Sequence, residues 1–305
     1  MELNKEYVRK IIKWLKLAYP ELPFTMYDIG VRYGIHYLYI DLLSLNHFKV
    51  IGFEVDKKEA ENLTKNSKSG ISEVWPYAVA KSKGRRKIYI TKHPGCSSFY
   101  PPNQELLSQY SSFDFFKISE TKFVETISID DFIEGHETTA PDYLKIDVQG
   151  AEYEILEGSE LALNNITGIF LETQLREIYL GAPLFPEIHM FLNNLGFRLI
   201  FCEYNADLGG ELIEFDVAYV RDYKSVTSKK DLLKLVLFCC IHKNIDYAVN
   251  AVRNSSLTDS EKQEILNLFS RPLQPEKMLV KSDSPYISSN IELRKIHEDW
   301  WINKP

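Results

Sequence analysis

The chain has 305 residues, enough for one large domain with an appendage or for two domains. Its 45% hydrophobic and 26% charged residues are ordinary for a globular protein, and the net charge of −7 argues against nucleic acid as a partner. No apolar run approaches the roughly 20 residues of a membrane span, and the charged start does not fit a signal peptide. The four cysteines show no C-x-x-C pairing, so we expect reduced thiols and a cytoplasmic protein.

Apolar periodicity predicts one helix at the start of the chain and then strands that alternate with helices. Helices are predicted over residues 1–20, 35–45, 57–66 and 184–195, and directly after Gly150. The predicted strands cover residues 25–30, 49–56, 71–80, 85–91, 121–129, 143–148, 168–173, 197–203 and 212–221. The last two strands are too close in sequence for a crossover helix, which predicts an antiparallel pair. The expected fold class is α/β, with a mostly parallel sheet covered on both faces.

Two regions depart from this alternation. Residues 93–119 are rich in Ser, Pro and aromatic residues and read as a long loop, a kind of segment that is usually functional. From about residue 225 the pattern is helical only, with capping-box patterns at Ser228, Thr258 and Ser289. We therefore predict an N-terminal helix (1–24), an α/β domain (25–224) and a helical extension (225–305). The extension would act as a lid or as the face of a homodimer.

Polar or glycine-containing motifs follow three of the predicted buried strands, where open α/β sheets bind ligands. They are DIGVRYG at 28–34, GFEVD at 52–56 and DYLKIDVQGAEYEILEG at 142–158. Gly30 allows close approach of the backbone, and Glu54 can accept hydrogen bonds from both hydroxyls of a ribose. These motifs predict a nucleoside-containing cofactor. Arg32 stands where a dinucleotide fingerprint needs glycine, which disfavours NAD.

The residues of these motifs, together with GCSSF and ETISIDDF, resemble those of the FkbM-type methyltransferases. The resemblance extends over roughly residues 25–222. The resemblance implies the class I methyltransferase fold, a Rossmann-like sheet of seven mostly parallel strands that ends in an antiparallel hairpin. It also implies S-adenosyl-L-methionine as the cofactor, with Asp28 as a counter-charge for its ammonium group. The cofactor-binding residues that it implies are Asp28, Gly30, Arg32, Gly34, Glu54, Val55, Ala78, Ser98 and Asp147.

Two carboxylates are candidates for the catalytic base. Methyl transfer to a hydroxyl requires the acceptor oxygen to lie close to the methyl group and a base to take the proton. Asp147 ends the strand in the 142–158 motif, and Glu172 ends the next strand, on the side where the acceptor of such sheets binds. Tyr179 belongs to a stretch that resembles a segment of the family's sequences, and the resemblance implies that this segment forms a wall of the acceptor pocket.

Two functions remain open from the sequence. The first is O-methylation of a hydroxyl on a sugar, glycan or natural product. The second is a binding or scaffolding protein that has lost activity, because Val31, Arg32 and Gln149 depart from the usual family pattern. An NAD-linked enzyme is a third and weaker reading. We expect no metal and no serine-hydrolase site, since no ligand cluster and no G-x-S-x-G motif is present in the sequence.

Overall fold

The structure is a computed structural model that describes residues 2–66, 70–111, 113–208 and 210–269. The chain as far as Leu268 forms one compact unit. The capping-box pattern predicted at Ser289 lies outside the described residues. Within the described part, none of the helices is both long and apolar enough to cross a bilayer.

Seven strands form the central sheet: β1 (Phe24–Ile29), β2 (Phe48–Phe53), β3 (Glu73–Trp75), β7 (Tyr143–Ile146), β8 (Gly168–Gln174), β9 (Phe197–Leu208) and β10 (Glu211–Arg221). Their order is β3-β2-β1-β7-β8-β10-β9. Strand β10 pairs antiparallel with β8 and β9, and the other pairs are parallel. The predicted mostly parallel sheet with a final antiparallel hairpin is confirmed.

A second, smaller sheet contains β4 (Ala78–Val79), β5 (Gly84–Thr91) and β6 (Ile118–Ile127), in the order β4-β6-β5. The prediction of a single strand over 71–80, with its ladder broken at Pro76, is therefore wrong, because β3 belongs to the large sheet and β4 to the small one. Pro76 lies between them and has no N–H to continue a ladder of hydrogen bonds, so the chain can change sheets there.

The helices are α1 (Glu2–Ala18), α2 (Lys57–Lys65), α3 (Gln104–Leu107), α4 (Ile129–Gly135), α5 (Glu152–Glu157), α6 (Glu160–Leu163), α7 (Phe185–Asn194), α8 (Lys229–Ile241), α9 (Ile245–Arg253) and α10 (Asp259–Leu266). The predicted helix over 35–45 is instead a 3-10 helix, Tyr37–Ser44. Its buried residues Tyr39 and Leu42 are three positions apart, the spacing that a 3-10 helix places on one side. Ser228 and Thr258 cap α8 and α10 as predicted.

The predicted long loop over 93–119 is ordered by its own small core. It includes α3 and two short 3-10 helices, Pro94–Cys96 and Phe113–Phe116. Leu106 and Leu107 of α3 pack in a cluster with Tyr179, outside the main core. This packing holds the segment at the carboxyl edge of the large sheet.

The two faces of the large sheet have different coverings. On one face, Ile29 and Ile146 pack with Ile155 and Leu156 of α5 in the main core. On the other face, the Phe238 ring of α8 lies 4.8 Å from the Tyr143 ring, measured between centroids. Helix α8 is thus a layer on the sheet, and the division of the chain at residues 24 and 224 stays a prediction.

Candidate functional site

The turn after β1 is fixed to both neighbouring strands. The Gly30 N–H donates to the Phe53 carbonyl at the end of β2, over 3.0 Å. Gly30 has a φ of +83°, and a Cβ there would lie 1.9 Å from the Asp147 carbonyl oxygen. Glycine is therefore required for the close passage of two backbone segments. Val31 is buried and fills the space beside Gly52, so its departure from the family pattern has a packing role.

An acidic residue and an arginine connect the ends of β1 and β2. Glu54 directly follows β2 and is only 4% exposed. Its Oε1 accepts from the Asp56 N–H over 2.8 Å and lies 3.5 Å from Nη1 of Arg32. Nη2 of Arg32 lies 3.6 Å from Oδ2 of Asp56. Burial raises the pKa of Glu54, whereas the Asp56 N–H and Arg32 act to lower it.

A cavity of about 310 Å³ opens at the carboxyl ends of β1, β2 and β7. Of the predicted cofactor-binding residues, those that line it are Gly30, Arg32, Glu54, Val55, Ala78, Ser98 and Asp147. Tyr77 and Val79 add apolar surface beside Ala78, and the small sheet covers the cavity with Ile88 and Ile90 of β5. The structure thus brings together the five stretches of sequence that contain the predicted residues, and adds β5 to them.

Asp28 and Gly34 are placed differently from these residues, and neither is part of the cavity lining. Asp28 is fully buried, with the Nζ of Lys145 3.3 Å from its Oδ1. The same Nζ lies 3.3 Å from Oδ2 of Asp147. Burial alone would lower the pKa of Lys145, but the two carboxylates more than offset this and raise it. Lys145 therefore stays charged and lies between Asp28 and Asp147, and Asp147 lines the cavity.

The segment after β7 is fixed by hydrogen bonds to its backbone. Gln149 adopts a left-handed φ of +61°, which is unusual for a residue with a side chain. Its carbonyl accepts from the Ser98 hydroxyl over 2.6 Å, and the Glu152 carboxylate accepts from the N–H groups of Val148 and Gly150. Burial raises the pKa of Glu152 to about 7. These contacts fix the direction of the Gln149 side chain.

The Gln149 amide joins the two candidate bases. Its Nε2 donates to Oδ1 of Asp147 over 3.2 Å and also to the Glu172 carboxylate. Its Oε1 accepts from the Tyr179 hydroxyl over 2.8 Å. Burial, and then the Asp147 carboxylate, raise the pKa of the half-buried Glu172 well above its usual value. An ionised glutamate at position 149 would have no hydrogen to donate to either acid, so the amide matches its neighbours.

These residues fit S-adenosylmethionine. A carboxylate at the end of β2 can accept the two ribose hydroxyls, and the apolar side chains beside Ala78 suit a flat aromatic base. The Asp147 carboxylate, 39% exposed at the cavity wall, lies where a positively charged group would be stabilised. Among the described residues, no group of three or more His, Cys, Asp or Glu side chains is placed to hold a metal ion.

Sequence reasoning missed the link made by Gln149 and the contribution of β10. Glu214 and Asp216 of β10 stand opposite Gln174 and Glu172 of β8. Their alternation along β10 is visible in the sequence and indicates a shared face. The sequence could not show that β10, rather than β9, pairs with β8.

Comparison with known proteins gives the family. The strand order and the antiparallel β10 are those of class I methyltransferases. Hexuronic acid methyltransferase AglP of Haloferax volcanii is 26% identical over 150 residues, 48% of this chain and 55% of AglP. The chain thus spans about half the length of this curated relative.

Two solved structures show weak similarity. Magnesium protoporphyrin IX methyltransferase (ChlM) from Synechocystis PCC 6803 with bound SAM is 12% identical, with a TM-score of 0.35 and coverage of 72% of this chain and 80% of that one. Precorrin-6y C5,15-methyltransferase from Geobacter metallireducens is 10% identical, with a TM-score of 0.32 and coverage of 68% and 88%. The family rests instead on the model of the methyltransferase FkbM domain, which matches residues 28–199. Because this match covers more than half of the 305 residues, the chain belongs to the FkbM methyltransferase family, whose methyl donor is S-adenosylmethionine.

Proposed function

We propose that this protein methylates a hydroxyl oxygen of a sugar, a glycan or a related natural product. The observation that carries the proposal is the pair of carboxylates, Asp147 and Glu172, that one amide holds at the edge of the cavity. Bound S-adenosylmethionine supplies an electrophilic methyl group. A hydroxyl acceptor must also lose a proton, and a carboxylate beside it can take that proton. The name of AglP, a hexuronic acid methyltransferase, supports a sugar as the acceptor.

The cofactor roles of the cavity residues are part of this proposal. Glu54 would bind the ribose hydroxyls, with Arg32 beside it to favour the ionised carboxylate. Val55 and Ala78 would contact the adenine, and Gly30 would let the cofactor approach the turn after β1. Ser98 would act through the Gln149 carbonyl that it holds. Asp28 and Gly34 do not line the cavity, and they would stabilise the residues that do without contacting the cofactor.

Asp147 and Glu172 would have separate parts in proton transfer. Asp147 is the first candidate base because it lines the cavity and is 39% exposed, within reach of an acceptor. Glu172 is the second candidate. Its raised pKa makes it a better proton acceptor once it is ionised, but a larger fraction of it is protonated at neutral pH. The shared Gln149 amide keeps both carboxylates oriented.

The contacts at the three departures from the family pattern do not favour an inactive scaffold. Val31 packs against Gly52, Arg32 pairs with Glu54, and Gln149 donates to two acids. Each residue therefore has a defined partner in the site.

The test is a transfer assay with S-adenosylmethionine labelled in its methyl group, against a panel of monosaccharides and glycans. We expect transfer to give an alkali-stable methyl ether, and Asp147→Asn to reduce turnover without loss of S-adenosylhomocysteine binding. Glu172→Gln is the parallel variant, and Asp259→Asn, at an exposed position on α10, is the control. An alkali-labile methyl ester would show a carboxylate acceptor and contradict the proposal. Cofactor binding without any transfer would favour the scaffold.

Location and partners also belong to the proposal. We infer a small-molecule or glycan acceptor, no nucleic acid partner and a cytoplasmic location, in line with the net charge of −7. Cys96, Cys202, Cys239 and Cys240 are free thiols. A homodimer formed through the C-terminal extension stays a prediction, which light scattering on the full chain would test.

A further inference from the structure

An open groove of about 690 Å³ lies between α1 and the 3-10 helix Tyr37–Ser44, apart from the residues of the cavity. Helix α1 lines one side of this groove mainly with basic side chains, and the 3-10 helix lines the other side with apolar ones. We call six of the lining residues the basic–apolar surface: Arg9, Lys13, Lys16, Leu17, Ile40 and Leu43. None of them lines the proposed methyltransferase site.

The 3-10 helix exposes a row of apolar side chains on its outer side. Tyr37, Ile40 and Leu43 are 65%, 51% and 43% exposed. They are three positions apart, so a 3-10 helix places them one above another. Across the groove, Leu17 of α1 is 77% exposed. Single exposed apolar residues are common on protein surfaces, but a contiguous set with a polar border is typical of an interaction site.

The α1 side of the groove carries concentrated positive charge. Residues 5–18 contain five basic residues and one acid, in a chain whose net charge is −7. The spacing of Arg9, Lys13 and Lys16 places them along one face of α1, over about 10 Å. Arg9 lies 3.7 Å from Asp41, a largely exposed pair, whereas Lys13 and Lys16 form no ion pair with the residues that the structure describes. The surface is therefore positive where it borders the apolar row.

An anionic lipid bilayer matches both features of this surface. Its charged headgroups attract lysine and arginine, and apolar side chains can enter the boundary between the headgroups and the acyl chains. Tyrosine is favoured at that depth, and Tyr33, in the turn before the 3-10 helix, is exposed like Tyr37. A peptide helix would instead need a groove that buries its apolar anchors, whereas Leu17 and Tyr37 protrude. The observations thus favour a membrane over an acidic peptide.

We propose that the basic–apolar surface binds an anionic membrane surface. The binding is peripheral, because the apolar face of α1, which includes Ile11 and Leu15, stays buried against the protein. Tyr33 also lines the cavity, so the exposed row of the 3-10 helix follows directly on a residue of the methyltransferase site. The inference goes beyond the proposed function, since it assigns a partner to a surface that takes no part in methyl transfer.

The test is co-sedimentation of the full chain with lipid vesicles at low and high salt. One set of vesicles contains phosphatidylcholine alone, and the other also contains about 30 mol% phosphatidylserine, an anionic lipid. We expect binding to the anionic vesicles to be at least about 10-fold tighter, and to weaken at high salt. The absence of binding to the anionic vesicles at low salt, or equal binding to both sets, would overturn the inference.

A pair of lysine variants makes the test specific to the groove. Lys13→Gln combined with Lys16→Gln should weaken binding to the anionic vesicles by about 10-fold or more. Lys57→Gln combined with Lys58→Gln removes the same charge from exposed positions on α2 and should leave binding unchanged. All four side chains are exposed, so both double variants should keep the melting temperature of the wild type. An equal loss of binding in the two double variants would contradict a defined surface.

An apolar double variant distinguishes a membrane from other occupants of the groove. Ile40→Ser combined with Leu43→Ser should also weaken vesicle binding, because these side chains enter the lipid. If light scattering shows a dimer of the wild type that this variant dissociates, a second copy covers the surface and the inference is wrong. Binding of soluble polyglutamate as tight as that of the anionic vesicles, and unchanged in the variant, would likewise overturn it. Titration with S-adenosylhomocysteine tests the proposed function separately.

Discussion

The two halves of the site are stabilised in different ways. In the half that we propose for the cofactor, at the ends of β1 and β2, the acid Glu54 is held by a backbone N–H and by Arg32. In the half that we propose for the acceptor, at the ends of β7, β8 and β10, Asp147 and Glu172 share the neutral amide of Gln149. Donors that favour the ionised carboxylate therefore surround the acid of the first half, whereas in the second half one neutral amide joins two acids and the pKa of Glu172 is raised well above its usual value. Binding and chemistry can thus be perturbed separately.

The largest expected effect comes from the point where the halves meet. Gly30→Ala would place a Cβ 1.9 Å from the Asp147 carbonyl oxygen at a φ of +83°. We expect a loss of roughly 3–5 kcal/mol in the free energy of unfolding, from the left-handed backbone and the forced separation of two segments. Chemical denaturation measures it. Gly135→Ala, with no atom within 4 Å of the added Cβ, is the control, and equal stability of the two variants would refute this account of Gly30.

The next largest effect is a loss of cofactor affinity that should arise from a change in the first half alone. Glu54→Ala removes the carboxylate that we assign to the ribose, so S-adenosylhomocysteine should bind about 100-fold more weakly. The rise in melting temperature that this ligand gives to the wild-type protein should then disappear. Glu61→Ala, at an exposed position on α2, should behave like wild type. An unchanged ligand-induced shift in Glu54→Ala would remove Glu54 from the cofactor site.

A smaller effect should be confined to the acceptor half. Gln149→Glu replaces the shared amide donor by a third acid beside Asp147 and Glu172. Methyl transfer should fall by roughly 10-fold or more at neutral pH, and more than cofactor affinity falls, because the like charges favour protonated carboxyls. Steady-state kinetics and cofactor titration provide the comparison, with Gln104→Glu at an exposed position as the control. Full activity in Gln149→Glu would show that the amide is dispensable.

The smallest effect concerns pH. The pKa of Glu214 is raised from 4.5 to about 7, so the folded state keeps a proton that the unfolded state has already lost. Its contribution makes stability fall as the pH rises from about 4.5 to about 7. Glu214→Gln should reduce this fall by about 1 kcal/mol, measured as the difference between denaturation at pH 5 and at pH 7.5. The same pH dependence in variant and wild type would contradict the raised pKa.

More of the contacts in the proposed cofactor half than in the proposed acceptor half could be anticipated from the sequence, and the reason is distance along the chain. Glu54 and Arg32 are separated by 22 positions within one strand–helix–strand unit, which local patterns describe well. Gln149 reaches Tyr179, 30 positions away, and its carbonyl accepts from Ser98, 51 positions away. Such pairs depend on strand order and loop packing. The insertion of β10 between β8 and β9 has no local signal, so the pairing of Asp216 on β10 with Glu172 on β8 could not be predicted.

The same limit explains two details of the prediction. The resemblance implies that Asp28 is a counter-charge for the ammonium group of the cofactor, whereas in the structure Asp28 does not line the cavity, because it alternates with Tyr27 and Ile29 along β1. It therefore faces the other side of the sheet, where it meets Lys145. The strand predicted over 71–80 contains Pro76, which breaks its ladder, but only the tertiary structure shows that the residues on the two sides of Pro76 join different sheets.

The central claim is that the carboxyl edge of this sheet is one methyltransferase site, with the cofactor bound between the turn after β1 and Glu54. Calorimetric titration of the full chain with S-adenosylhomocysteine, and separately with NADH, tests it most directly. The account predicts saturable binding of one S-adenosylhomocysteine per chain and no binding of NADH. Binding of NADH in its place, or no binding of S-adenosylhomocysteine, would contradict it.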